Sequence, residues 1–153
     1  MSNKSGFTLI EAMFVVLIIG ILAAISVSSV NFFGRPAYLT SRQMVSDLRH
    51  IRTLAVTSGI RHYMKLLPAG GPYTSYEIYK DTATPVKIGD TRTISNKVTS
   101  CTQTGFDSDV FKFSYLGVRY GSTSNGLITV NDGTQSYTVT IIAGTGRIFE
   151  TKN

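Results

Sequence analysis

Ser5-Gly6-Phe7-Thr8-Leu9-Ile10-Glu11 opens a run in which Glu11 is the only charged side chain between Lys4 and Arg35. From Phe7 to Val30 the run is 24 residues long; Ala12 to Ile25 carries no charge, and Ser26, Ser28 and Ser29 mark its fade into polar sequence. Some 20 helical residues rising about 1.5 Å each cross a hydrocarbon core about 30 Å thick, so residues 7–30 are predicted to form a transmembrane helix. An ionised carboxylate at bilayer depth costs roughly 2.5 to 3.5 kcal/mol, and Glu11 therefore needs a partner. A secretory signal peptide is the competing reading, with Ala23 and Ala24 as small residues for cleavage. Against it, only six residues and one Lys precede Phe7, and the apolar run outlasts a usual signal core. Gly6-Phe7 offers a cut before the run, which keeps the anchor.

The 123 residues after Val30 suffice for one compact head and are too few for two. The net charge is +6, with charged residues at only 16% of the chain, and Lys4 belongs to the leader. Cys101 is the single cysteine, so no disulfide forms within the chain and the expectation is a small buried apolar residue. Met44, Leu48, Ile51 and Ala55 recur at helical spacing, flanked by Val45 and Leu54, and predict an amphipathic helix over about 37–58. It ends at Gly59 and is either continuous with the anchor or kinked from it at Gly34-Arg35-Pro36. Arg35, Arg42, Arg49 and Arg52 share one face if the helix continues through Pro36.

After Gly59 the period switches to alternation over about 60–151. Residues 61–66, 76–79, 110–115, 127–130, 137–141 and 147–149 read as strands rich in aromatic and β-branched side chains. Turn clusters separate them at Pro68-Ala69-Gly70-Gly71-Pro72, at 121–126 and at Asn131-Asp132-Gly133. Asp132-Gly133 predicts a tight hairpin with positive φ at both central positions, and the last strands form a meander. The fold class is α+β: a long N-terminal helix packed on an antiparallel β-sheet head.

Gly6-Phe7-Thr8-Leu9-Ile10-Glu11 with its apolar helix resembles the start of type IV prepilins. The resemblance implies that prepilin peptidase cleaves between Gly6 and Phe7 and methylates the Phe7 amine. It also implies that Glu11 pairs with the amino terminus of a neighbouring subunit during assembly. Meeting is what relieves the desolvation of a buried carboxylate and a buried ammonium. Leu48 to Leu66, with Arg52 and Ala55 before a strand, and the closing Ile141-Ile142-Ala143-Gly144-Thr145-Gly146-Arg147-Ile148 are similar to the GspH/FimT family of minor pilins and type II secretion pseudopilins. That family implies a structural subunit, stored in the inner membrane by one span with its head in the periplasm. After processing it enters a type IV pilus or pseudopilus and helps to initiate assembly near the tip. Some members bind DNA during uptake, through basic residues that include a second Arg two positions after the Gly-Arg pair. Phe149 stands there in this chain, followed by Glu150.

The alternative function, nucleic-acid binding, would draw on Arg35, Arg42, Arg49, Arg52, Arg147 and Lys152. Tyr73, Tyr76, Tyr79, Tyr115, Tyr120 and Tyr137 would be its stacking residues, although strand aromatics more often pack in cores. Catalysis finds no support: nothing near His50 or His62 suggests a nucleophile or a metal cluster. Asp107-Ser108-Asp109 supplies two carboxylates, well short of a calcium loop. No cofactor and no metal are expected.

Overall fold

The computed structural model describes residues 9–28 and 35–153, with side chains for 9–22 and 35–153. The chain divides into two compact units, one reaching Gly34 and the other running from Arg35 to Asn153. The first holds α1 (Leu9–Ser28). From Leu9 to Leu22 its apolar side chains are exposed on all sides; Leu9, Ile10, Met13, Phe14, Val16 and Leu17 are all more than half exposed. A helix apolar all round needs a membrane or other helices about it. Among the described residues no helix is long and apolar enough to cross a membrane. The run 7–30 extends past the described side chains at both ends.

The second unit opens with α2 (Pro36–Ser58). Pro36 suits a first helical turn, where its missing N–H is not needed. Arg35 before it has φ −131° and ψ 65°, outside the helical region. The helix therefore starts anew at Pro36, and the seven-residue arginine spacing does not run through Arg35 on one helical face. At the other end Gly59 takes φ 67°, the left-handed conformation that stops a helix most readily at glycine. The predicted stripe is the buried one: Met44, Val45, Leu48, Ile51 and Ala55 face inward, joined by Ala37, Thr40 and Ser41.

The strands are β1 (His62–Leu67), β2 (Ser75–Lys80), β3 (Val86–Lys87), β4 (Arg92–Thr93), β5 (Ser100–Thr104), β6 (Val110–Phe113), β7 (Gly126–Asn131), β8 (Ser136–Ile141) and β9 (Ile148–Lys152). One sheet has the order β3-β2-β1-β6, with β4 also paired to β2; the other has the order β5-β7-β8-β9. All pairings are antiparallel. The inner faces of both sheets pack on α2, which touches β1 and β6 of the first and β7, β8 and β9 of the second. Strict alternation of buried and half-buried residues along β1, β7 and β8 gives each sheet one core face. Met44, Leu48 and Ile51 meet Met64, Leu66, Phe111, Phe113, Ile128 and Val139 in one cluster. Burying each such side chain contributes about 1.5–3 kcal/mol. Phe111 makes edge contacts with Phe106 and Phe113 at 5.2 and 5.0 Å between centroids.

Three strands escape the sequence pattern. β3 and β4 are two residues long and exposed, and β5, Ser-Cys-Thr-Gln-Thr, buries only Cys101. The strand at 110–115 stops at Phe113, and the last one runs on to Lys152. The hairpin after β7 also differs from expectation. Gly133 has φ 89°, but Asp132 does not enter the positive region, and four residues connect the strands. Asp132 Oδ1 instead accepts from Thr134 N, Gln135 N and the Thr134 hydroxyl at 2.7–3.0 Å, a side-chain turn that replaces the two-residue one.

Candidate functional site: apolar helix and arginine contacts

Glu11 lies exposed in the first turn of α1 among exposed apolar neighbours. The helix dipole favours a carboxylate at that end. No ion pair to it occurs among the described residues. Gly6 and Phe7, the expected processing site, lie outside the described residues.

The six basic candidates fall into two groups. The three arginines of α2 are structural struts. Arg42 Nε stands 3.3 Å from Glu150 Oε2, and its guanidinium lies 5.2 Å over the Tyr38 ring. Arg49 donates to Ile148 O at 3.1 Å, so both tie the helix to β9. Arg52 reaches the other way, donating from Nε to Gly117 O at 2.8 Å and from Nη2 to Thr145 O at 3.1 Å. Arg35, Arg147 and Lys152 remain exposed, and Arg147 lies 5.6 Å over the Phe149 ring. Arg42 and Arg49 nonetheless stay exposed beside these contacts.

Arg52 gives physical content to two sequence features far apart in the chain. Gly146, in the closing Gly-Arg pair, has φ 62°, and a Cβ there would overlap Gly117 O and come within 3.1 Å of Arg52 Nε. The helix-end arginine and the closing glycine converge on one carbonyl. That carbonyl sits in a turn in which Gly117 N donates to Ser114 O at 2.9 Å. The turn displays Tyr115 and Leu116, which are 59% and 68% exposed.

Other polar residues organise the loops, and sequence reasoning did not find them. Arg119 is buried; its guanidinium donates to the carbonyls of Gly105 and Ser124 and lies 5.1 Å over Phe111. Its only sequence signal is a lone cation between Val118 and Tyr120. Of the Asp107-Ser108-Asp109 cluster, Asp107 approaches Arg119 at 3.7 Å. Asp109 accepts from the Tyr73 hydroxyl, from Gly70 N at 2.8 Å and from Gln103 Nε2 at 3.4 Å. These donors, Tyr73 foremost, hold the Asp109 carboxyl below the usual carboxylate range. Among the described residues no group of three His, Cys, Asp or Glu is placed together. Asp132 Oδ2 accepts from Ala37 N at 3.3 Å, serving the start of α2, where Arg35 offers no side-chain cap. Its loop hydrogen bonds, led by the Thr134 hydroxyl, lower its carboxyl to about 2.

His50 is exposed, while His62 is buried with Nδ1 2.8 Å from Ile60 O. Tyr73, Tyr76 and Tyr137 are core residues, and Tyr79 stacks on Tyr63 at 5.1 Å. Cys101 is buried, and desolvation pushes its thiol up to about 12.

Residues 1–27 match the prokaryotic N-terminal methylation motif. The N terminus is of the type IV prepilin kind. No curated protein sequence matches the chain. Among solved structures, the type IV minor pilin FimU of Pseudomonas aeruginosa is similar, with 12% identity and a TM-score of 0.60 over 75% of this chain and 87% of that one. The minor pseudopilin EpsH from the type 2 secretion system of Vibrio cholerae is similar to the same degree, with 12% identity and a TM-score of 0.60 over 76% of this chain and 96% of that one. At such identity the likeness is one of fold. The prepilin motif is thus joined to an α+β, pilin-like head.

Proposed function

We propose that this prepilin is a minor pilin or pseudopilin, a structural subunit that is cleaved between Gly6 and Phe7, methylated on Phe7 and assembled through α1. The observation that carries the reading is an apolar helix, exposed from Leu9 to Leu22, that bears Glu11 in its first turn and lies almost wholly within the methylation motif of residues 1–27. In the inner membrane the run 7–30 would hold the chain as a single span, with the head in the periplasm. In the filament the same apolar surface would bury against other subunits' helices, and Glu11 would meet a neighbour's Phe7 ammonium. Because Glu11 is present, the subunit has the group needed to stack beneath another near the tip. A role in initiating assembly fits that placement.

The test is intact mass and amino-terminal analysis of the membrane-extracted protein from its own host. A chain beginning at N-methylated Phe7 supports the reading; one beginning near Ser26 would sink it. Glu11→Ala should then leave the head folded and lower its recovery in sheared filaments, and normal recovery would remove the pairing argument. DNA uptake is the second reading; Arg42, Arg49 and Arg52 each have an intramolecular contact, while Arg42 and Arg49 stay exposed.

A further inference from the structure

One end of the head gathers unpaired cations. Ala37 N meets Asp132 Oδ2, and Tyr38 packs 5.5 Å from Tyr137, so the start of α2 adjoins the β7–β8 hairpin. Lys152 is in register with Tyr137, and Thr99 N donates to Asn131 O at 2.7 Å, which brings the segment carrying Lys97 to the same end. Arg35, Lys97 and Lys152 are exposed there and make no ion pair among the described residues. Two side-chain carboxylates near this end have partners. Asp132 is held by its own loop and Ala37, and Glu150 by Arg42. Leu39, 52% exposed, lies between Arg35 and Arg42 in the first turns of α2. A shallow polar cleft of about 410 Å³, lined in part by Thr134, Ser136, Lys152 and Asn153, opens beside them.

Exposed cations around an exposed leucine suit an anionic lipid interface, where the apolar group enters the headgroup region and long basic side chains keep their charges on the phosphates. Only six residues separate Ser28 from Arg35, a reach of about 25 Å at most. We propose that before assembly this end of the head rests on anionic phospholipid of the bilayer that holds the run 7–30. This rests on the membrane-anchored reading above. Leaving the membrane for a filament would then require these contacts to be released. Each basic side chain near such a surface shifts the bound population about fivefold, and salt weakens the effect.

The full-length chain in proteoliposomes tests this by hydrogen exchange, comparing phosphatidylcholine alone with phosphatidylcholine containing phosphatidylglycerol. Amides of 37–42 and 132–153 should exchange several-fold more slowly in the anionic vesicles, and added salt should erase the difference. Arg35→Glu with Lys152→Glu should abolish it without changing circular dichroism, whereas Lys80→Glu, on the other sheet, should not. Equal exchange in both vesicle types would overturn the lipid proposal while leaving the anchor intact. Failure to float with either type would overturn the anchored reading itself. If soluble inorganic phosphate slows the same amides without vesicles, the end is a simple anion site and the lipid proposal is wrong.

Discussion

Replacing Gly146 by Ala should be the most damaging single-methyl change in the head. Two effects add. The residue sits at φ 62°, where an L side chain costs about 1–2 kcal/mol. The new methyl also overlaps Gly117 O, a backbone atom that cannot rotate away, and overpacking of this kind costs about 1–3 kcal/mol. Moving the Gly117 turn to make room strains the hydrogen bond from Arg52 Nε, since charge-assisted bonds contribute about 1.5–3 kcal/mol. A loss of about 3 kcal/mol is expected, or roughly 10 °C in Tm for a head of this size. Thermal unfolding of the full chain in detergent by circular dichroism measures it. Gly144→Ala is the internal control, because a Cβ there meets nothing within 4 Å. Arg52→Met combined with Gly146→Ala should cost less than the sum of the two, since both act on one carbonyl. Similar melting of the Gly146 and Gly144 variants would refute the strut.

Asp132 lends stability with a definite pH sense. Its folded value of about 2 lies below the unfolded value near 3.9, so its contribution is present above the latter and fades as pH falls toward about 2. Asp132→Ala should cost about 1 kcal/mol in urea unfolding near neutral pH, with the two proteins converging in acid; a constant gap would contradict the assignment. Arg119→Ala should lose about 2 kcal/mol by removing a buried side chain that donates to the carbonyls of Gly105 and Ser124, and Arg119→Lys should recover only part, as judged by denaturation midpoints. Cys101 should resist thiol reagents at about pH 8 in the folded chain and react promptly in denaturant, because burial holds its thiol near 12. Rapid labelling of the folded protein would show that the β5 edge opens.

What the sequence made legible was periodic. The stripe of Met44, Leu48, Ile51 and Ala55, the stop at Gly59 and the β7–β8–β9 meander all follow from spacing and turn chemistry. β5 was hidden because four of its five residues are polar and its membership depends on pairing with β7, a partner more than twenty residues away. The partners of the arginines were hidden for a related reason. A seven-residue spacing shows which side chains could share a face, but not that Ile148, Gly117 and Thr145 would bring carbonyls within reach of two of them. Nor could it show that Asp132 would serve a helix start 95 residues earlier in the chain. Local order is written locally, whereas polar partnership is decided by the fold.

The way α2 is fastened bears on mechanics. Its first turn is held by the Asp132 carboxylate, its middle by Arg42 and Arg49 to the final strand, and its last turns by Arg52 to a loop and by core side chains to both sheets. Tension entering the head at Arg35 would therefore meet fastenings in series along the helix, several of them to segments near the opposite terminus of the chain. Such a head would yield by cooperative rupture rather than by peeling one hairpin at a time.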